Sequence, residues 1–314
     1  MWFWLSIITL LFWSGSDLFS KIGCRDADDK YSHLKMVIAV GVVMGLHACY
    51  QIFVNGTVID FRIIWIYLPV SLLYIISMAM GYLGLRYIEL SISSPICNSS
   101  GALVALLTLL TVGRGDYSPL AIGAVFLVCI GAIGLGVVDH FEDDDLRAAR
   151  QEASNYKYAK SFMALALPVA YCVLDAAGTF ADNFAIVKIN QYMGLPIDSD
   201  VGAGSANAAY ELTFLIAAAL CFIYVVLIKK QKMVLRREIP KYGGAVCETI
   251  GQFCYIFAIS DTKHLAMSAP IISSYCAASV LWSRLFLKEK LSWKHYLMIA
   301  LVVIGIFIMG IFDL

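Results

Sequence analysis

Of the carboxylates that interrupt the long apolar runs of this 314-residue chain, four deserve weighing: Asp17, Asp175, Glu211 and Glu248. An acid at the centre of a membrane helix costs about 2.5–3.5 kcal/mol, so acids placed there face a cavity, a partner or the bundle interior. Away from any metal or nucleophile, they can bind a cation or take up and release a proton. Asp175 has Tyr171 four residues before it, Thr179 four after and Asp182 seven after, and helical spacing puts all four on one polar stripe. No Lys or Arg lies deep enough to neutralise it, so Asp175 must be protonated, hydrated or matched by a ligand. Glu248 shares a face with Gln252 and Tyr255, although it can also snorkel toward Lys241. Asp17 has Lys21 at i+4, and a plain helix-surface pair is the alternative to a cavity role. Glu211 stands near the start of its run, where an interfacial position is the default. His47 is either a proton relay or a satisfied buried hydrogen bonder.

The elements that hold these residues follow from composition. Hydrophobic residues make up 61% and charged residues 15%, with a mean hydropathy of +0.79. Soluble domains carry roughly 45–50% and about 25%. The balance excludes an ordinary soluble domain and a disordered chain. A net charge of zero offers no basic surface to nucleic acid. About 20 apolar residues span a bilayer, and ten stretches qualify: 2–20, 34–54, 63–85, 91–112, 117–138, 161–187, 207–228, 242–260, 265–287 and 291–311. The start, Met1-Trp2-Phe3-Trp4, lacks a basic n-region, so the first stretch is expected to stay as a span. The nine cysteines show no C-x-x-C and no metal-like spacing and read as small buried hydrophobes. The scattered histidines form no H-E-x-x-H, and no Walker motif is present.

The chain also repeats. Pro95 matches Pro270 at an offset of 175, and Ser118/Ser292, Gly131/Gly305 and Gly136/Gly310 match at 174. Trp13/Tyr171 and Asp17/Asp175 align at 158, and Tyr82/Tyr255 at 173. The expected fold is an all-α polytopic membrane protein of ten transmembrane helices. Residues 1–138 form a first five-helix repeat, 139–160 a charged linker and 161–314 a second repeat. Five crossings invert the second copy, giving a 5+5 inverted-topology repeat of the kind that holds substrate between its halves. The segment 188–206 reads as a long loop.

The run Leu285-Phe286-Leu287-Lys288-Glu289-Lys290-Leu291-Ser292, followed by a helix ending Gly305 to Gly310, resembles the signature that closes each repeat of EamA-type proteins of the drug/metabolite transporter superfamily. Phe12-Trp13-Ser14-Gly15 resembles the aromatic-Gly turn of that family's first helix. In the first repeat Arg114 stands where the family usually has Glu. The resemblance implies the ten-helix fold and a transport function, not an enzyme, and leaves the substrate open.

The expected function is a secondary transporter of a small polar or amine-bearing metabolite, of the amino acid or organic cation class. It would work by alternating access, with a proton as a candidate coupling ion and with no cofactor or metal. A lipid-modifying membrane enzyme and a non-transporting scaffold are the alternatives. The expected substrate-binding residues are Asp175, Glu248, Tyr171, Tyr82, Tyr255, Tyr275, Asn98, Ser274, Gln252, Asp17 and Trp13. Aromatic faces beside acids suit a ligand cation. The expected partners are a small-molecule substrate and the lipid bilayer, with the chain working as a monomer. Of 23 Lys and Arg, 19 fall in odd-numbered connections. The positive-inside rule therefore places both termini outside, in a prokaryotic inner membrane.

Overall fold

The computed structural model describes residues 1–26, 28–87, 89–111, 118–141, 162–197, 199–261 and 263–312. Most of the expected linker, 142–160, and the stretch around Arg114 lie outside the described residues. Every regular element among the described residues is a helix. These are α1 (Trp2–Cys24), α2 (Ser32–Phe53), α3 (Phe61–Tyr87), α4 (Leu90–Asn98), α5 (Ser100–Thr111) and α6 (Pro119–His140), followed by α7 (Phe162–Met193), α8 (Asp200–Phe222), α9 (Leu235–Ile259), α10 (Leu265–Ser273), α11 (Tyr275–Trp282) and α12 (Trp293–Phe312). Short π-helical turns, Ile223–Ile228 and Ser283–Leu287, close α8 and α11.

Among the described residues seven helical runs are long and apolar enough to cross a membrane: Trp2–Cys24, Ser32–Phe53, Phe61–Tyr87, Leu90–Thr111, Pro119–Val138, Asp200–Ile228 and Leu265–Leu287. Their outward faces carry exposed Leu46, Leu72, Phe126 and Leu220, a surface suited to lipid rather than water. The protein is a polytopic, all-helical integral membrane protein. Of the remaining runs, α7 carries Asp175 and Asp182, α9 opens on Arg236, Arg237 and Glu238, and Trp293–Met309 is a shorter apolar helix.

Local chemistry sets the ends. Ser118 caps α6, its hydroxyl accepting from the Ala121 amide, with Pro119 at the first helical position. Ser199 does the same for α8 through the Val201 amide. At the mouth of α3, outside the membrane, Asp60 accepts from the Ile63 amide at 2.8 Å, which holds its carboxyl below the usual range. The segment 188–206, read as a loop, is mostly helix. Among its described residues only 194–197 and 199 are non-helical, where buried Asn190 donates to the Ile197 and Ser199 carbonyls (3.1 and 2.9 Å).

The fourth and ninth expected spans are each broken in two. In both, a proline precedes the break by four residues: Pro95 before Ser99 and Pro270 before Ser274. The Ser99 and Ser274 amides bond back to the carbonyls of Pro95 (3.1 Å) and Pro270 (3.0 Å). These breaks keep the offset of 175 read from the prolines (274 − 99 = 175).

Helix packing is unchanged when the first set of helices is exchanged for the second. Helix α1 packs on α9 as α3 packs on α7, and α2 on α9 as α8 on α3; α2 meets α8 and α6 meets α12. At the α6–α12 contact, Gly131 lies against Val302 and the Met298 carbonyl, while Gly305 lies against Val128 and the Ala124 carbonyl. Those contacts reproduce the 174 offset (302 − 128 and 298 − 124). The third and eighth spans settle into a different register from the one read in the sequence. Gly81 of α3 takes the Tyr171 ring and Gly251 of α9 takes the Trp13 ring, an offset of 170 (251 − 81) instead of 173. Tyr82 therefore corresponds to Gln252 and not to Tyr255.

Candidate functional site

The helices α1, α3, α4, α7, α8, α9 and α11 enclose a central cavity of about 650 Å³. Its walls include Trp13 and Asp17 from α1, Tyr82 from α3, Tyr171 and Asp175 from α7, Glu248 and Gln252 from α9, and Tyr275 from α11. A smaller cavity of about 320 Å³ shares Trp13, Tyr171, Asp175 and Tyr275 and adds Asn98, Thr179 and Tyr255. Ten of the eleven expected site residues thus line one cavity or the other. Ser274 lines neither, because its hydroxyl turns back onto the Ile271 carbonyl (2.5 Å) at the α10–α11 break.

Close approach of helices makes the aromatic walls. A Cβ at Gly251 would come within 2.4 Å of the Trp13 ring, and one at Gly81 within 2.9 Å of the Tyr171 ring, so each bulky ring needs a glycine opposite. Trp13 is thereby set 5.0 Å from Tyr255 and 5.8 Å from Tyr275, centroid to centroid.

The three acids are held differently. Asp17 Oδ2 accepts from Ser94 at 2.5 Å and from Ser279 at 2.8 Å. Asp175 Oδ2 accepts from Ser100 alone, at 2.7 Å. Glu248 faces the larger cavity beside Ser16. No Lys or Arg is among the residues lining either cavity. Lys21, one turn beyond Asp17, sends its ammonium to the Leu85 carbonyl at 2.9 Å. Three donors on the walls, Trp13 Nε1, the Tyr82 hydroxyl and Gln252 Nε2, are buried with no hydrogen-bond partner among the described residues. A folded protein rarely leaves such donors unpaired, and those it does leave commonly serve a ligand or water.

Sequence reasoning missed several neighbours. Tyr74 and Tyr210 line the larger cavity, and the hydroxyl partners Ser94, Ser100 and Ser279 could not be picked out among many span serines. Asp182, read as the end of the Asp175 stripe, is fully buried in a tyrosine cage. The Tyr67 hydroxyl donates to its Oδ1 at 2.5 Å and the Tyr74 hydroxyl to its Oδ2 at 3.2 Å, and Tyr74 meets Tyr255 at 2.5 Å.

At the opposite end of the bundle, a buried ring of alternating charges ties α9 to α2 and the α1–α2 turn. Lys35 bridges Asp29 (3.0 Å) and Glu238 (3.6 Å), and Lys241 bridges Glu238 (3.1 Å) and Asp29 (3.8 Å). The Arg86 guanidinium of α3 adds a bond to the Asp29 carbonyl. The ring anchors the start of α9, which begins at Leu235, earlier than hydropathy indicated: Glu238 and Lys241 are buried through pairing while Leu235, Arg236, Arg237 and Ile239 stay exposed.

Comparison with known proteins decides which family this arrangement resembles. Residues 205–311 match the EamA-like transporter family. The EamA resemblance read from Leu285 to Ser292 falls inside that stretch, and the family is part of the drug/metabolite transporter superfamily. The EamA-like stretch brings Tyr210, Glu248, Gln252, Tyr255 and Tyr275 to the cavities, and the preceding part of the chain brings Asp17 and Asp175. A solved protein crystal structure shares the fold with a TM-score of 0.62 at 14% identity, over 97% of this chain and 94% of its own. No curated protein matches the chain.

Proposed function

We propose that this protein is a secondary transporter that moves a small amine-bearing or cationic metabolite by alternating access. One observation carries the reading: a central cavity with three carboxylates, aromatic walls and no lining Lys or Arg. Uncompensated acids in a membrane are costly, so the cavity favours a ligand cation or protons in its place. Aromatic faces add cation–π attraction. The unpartnered Tyr82, Gln252 and Trp13 donors supply a second pole for an acceptor group on the same ligand.

The exchange-symmetric packing supports two halves, 1–138 and 161–314, as the moving bodies. With five crossings each they are inverted in the membrane, and substrate sits between them. The broken helices Leu90–Thr111 and Leu265–Leu287 fit the discontinuous helices of such transporters, in which freed backbone groups face the site. The working unit is a monomer in a prokaryotic inner membrane, with both termini and the 194–199 turn external and 229–241 cytoplasmic.

Purified protein in liposomes, preloaded in turn with amino acids, quaternary ammonium compounds and primary amines, tests the function by counterflow of the labelled solute. Saturable exchange with one amine-bearing class is expected. Exchange only of added solutes that lack an amine or ammonium group would overturn the substrate class, and no exchange with any solute would overturn transport. Orientation is tested by Asp200→Cys and Leu235→Cys in a background without reactive thiols. An impermeant maleimide should label position 200 in intact cells and leave 235 unlabelled.

A further inference from the structure

We infer that His47 and Glu211 form a proton-binding site separate from the central cavity, reached from the membrane end at residues 54–60. The pair lies between α2 and α8. His47 Nδ1 stands 2.8 and 2.9 Å from the two Glu211 carboxylate oxygens. Glu211 is fully buried and the His47 side chain is 24% exposed. The α2–α8 interface is otherwise close-packed and apolar, with Gly41 against Phe214 and Ala218 and Gly45 against Leu215. An ionisable pair there needs a reason beyond packing, because burying charge costs more than burying the equivalent apolar volume.

The hydrogen-bond directions give that reason. Exposed Asn55 donates from Nδ2 to Gln51 Oε1 at 2.9 Å. Gln51 therefore turns its Nε2 toward His47 Nε2, 3.1 Å away. That ring nitrogen accepts and carries no proton, so the proton sits on Nδ1 and is donated to Glu211. Asn55, Gln51, His47 and Glu211 make one chain of donors, all directed inward and ending on a carboxylate. The imidazole in this state carries one proton, on Nδ1, and its Nε2 lone pair is the place where a second can bind. Asn207, one turn before Glu211, is buried and interacts with its carboxylate.

Proton addition is simple in its balance. One proton binds His47 Nε2, the imidazole becomes imidazolium, and the pair gains one positive charge. The Gln51 amide then turns its carbonyl to accept from Nε2, and Asn55 releases that carbonyl. The other groups facing the pair are the Phe253 ring of α9, 5.1 Å from the His47 ring, and Tyr210, whose hydroxyl is taken by Met78. No Lys or Arg is ion-paired with either residue among the described ones. Use of this proton to drive solute movement rests on the transport reading, whereas the existence of the site does not.

The test uses the full chain in lipid nanodiscs, labelled with ¹⁵N at its five histidines, with the proton itself as the probe. One resonance, absent from His47→Gln, should pass from the Nδ1–H neutral form to imidazolium as pH falls. In Glu211→Gln its midpoint should drop, because the carboxylate that pairs with the imidazolium is gone. Glu211→Asp, which keeps the charge, should retain most of the wild-type midpoint and serves if the Gln variant does not fold. A His47 resonance that never titrates in the wild type would overturn the site. So would one whose midpoint is the same with Glu, Asp and Gln at 211, or, if Glu211→Gln does not fold, one whose midpoint drops in Glu211→Asp.

Discussion

Asp17 and Asp175 occupy equivalent places in α1 and α7, each one turn after a bulky ring seated on a glycine of the opposing helix. Trp13 lies on Gly251, and Tyr171 on Gly81. Their surroundings diverge from there. Asp17 is clamped by two hydroxyls, Ser94 from α4 and Ser279 from α11, so it ties three helices together. The positions equivalent to those serines at the 175 offset are Ala269 and Val104, which cannot donate. Asp175 keeps one bond, from Ser100 on α5, and borders both cavities. One scaffold used twice holds one acid by two hydroxyls and the other by one. Under the proposed function the first acid holds the fold and the second binds the ligand.

The largest effect should follow from removing the less satisfied charge. Asp175→Asn preserves shape and the Ser100 contact but removes the fixed negative charge. Ligand affinity, read by calorimetry or by the ligand-induced rise in melting temperature, should fall about tenfold or more, which is at least about 1.4 kcal/mol. The melting temperature without ligand should stay near the wild-type value. Unchanged affinity at every pH would make Asp175 a packing residue and end its assignment as the binding acid.

Asp17→Asn should show the converse pattern. It weakens two charge-assisted hydrogen bonds, each worth about 1.5–3 kcal/mol, so the unliganded protein should melt several degrees lower. Affinity per folded molecule should fall less than in Asp175→Asn. If Asp17→Asn melts normally and binds nothing, the two roles are reversed.

How much of this was legible in the sequence depends on how rare each signal is. Intramembrane acids are few, so Asp17, Asp175 and Glu248 stood out, and the structure brings all three to one cavity. Tyr171 followed from its spacing to Asp175, and Trp13 from its match to Tyr171 at an offset of 158. Serines are common in spans, and nothing in the local sequence marks Ser94 and Ser279 as partners of Asp17, since both come from helices distant in sequence. The α3–α9 register was missed for a related reason. Tyrosine matched tyrosine by identity, while the fold aligns the glycines that receive a ring. The segment 188–206 misled because Gly, Ser and Asn usually mark loops, yet here Gly202 packs tightly against Asn190 inside helical structure.

The glycines allow a graded test. Alanine at Gly251 meets the Trp13 ring at 2.4 Å, and alanine at Gly81 meets Tyr171 at 2.9 Å. Overpacking costs about 1–3 kcal/mol, with Gly251→Ala expected at the upper end and Gly81→Ala at the lower. Because each ring sits one turn from its acid, Gly251→Ala should act through Asp17 and lower thermal stability more than affinity. Gly81→Ala should displace Tyr171 and lower affinity more than stability. Equal effects on both measures in both variants would mean the halves are not specialised.

The smallest effect is the most telling, because it converts one environment toward the other. Ala269 is the counterpart of Ser94 and borders the smaller cavity together with Asp175. Ala269→Ser adds one hydroxyl and little volume at the position from which, in the other half, a serine reaches the acid. If hydroxyl supply sets the roles, the new donor should satisfy Asp175 in the empty protein and compete with the ligand. A net hydrogen bond is worth about 0.5–1.5 kcal/mol, so affinity should weaken roughly two- to tenfold while the unliganded protein melts slightly higher. Ser94→Ala should move Asp17 the opposite way, lowering stability and leaving that acid freer to take part in binding. A shift in melting temperature without a change in affinity in Ala269→Ser would show that the new hydroxyl finds a backbone carbonyl instead. The distinction between the acids would then rest on cavity shape, and Tyr171 and Tyr275 would be the residues to vary next.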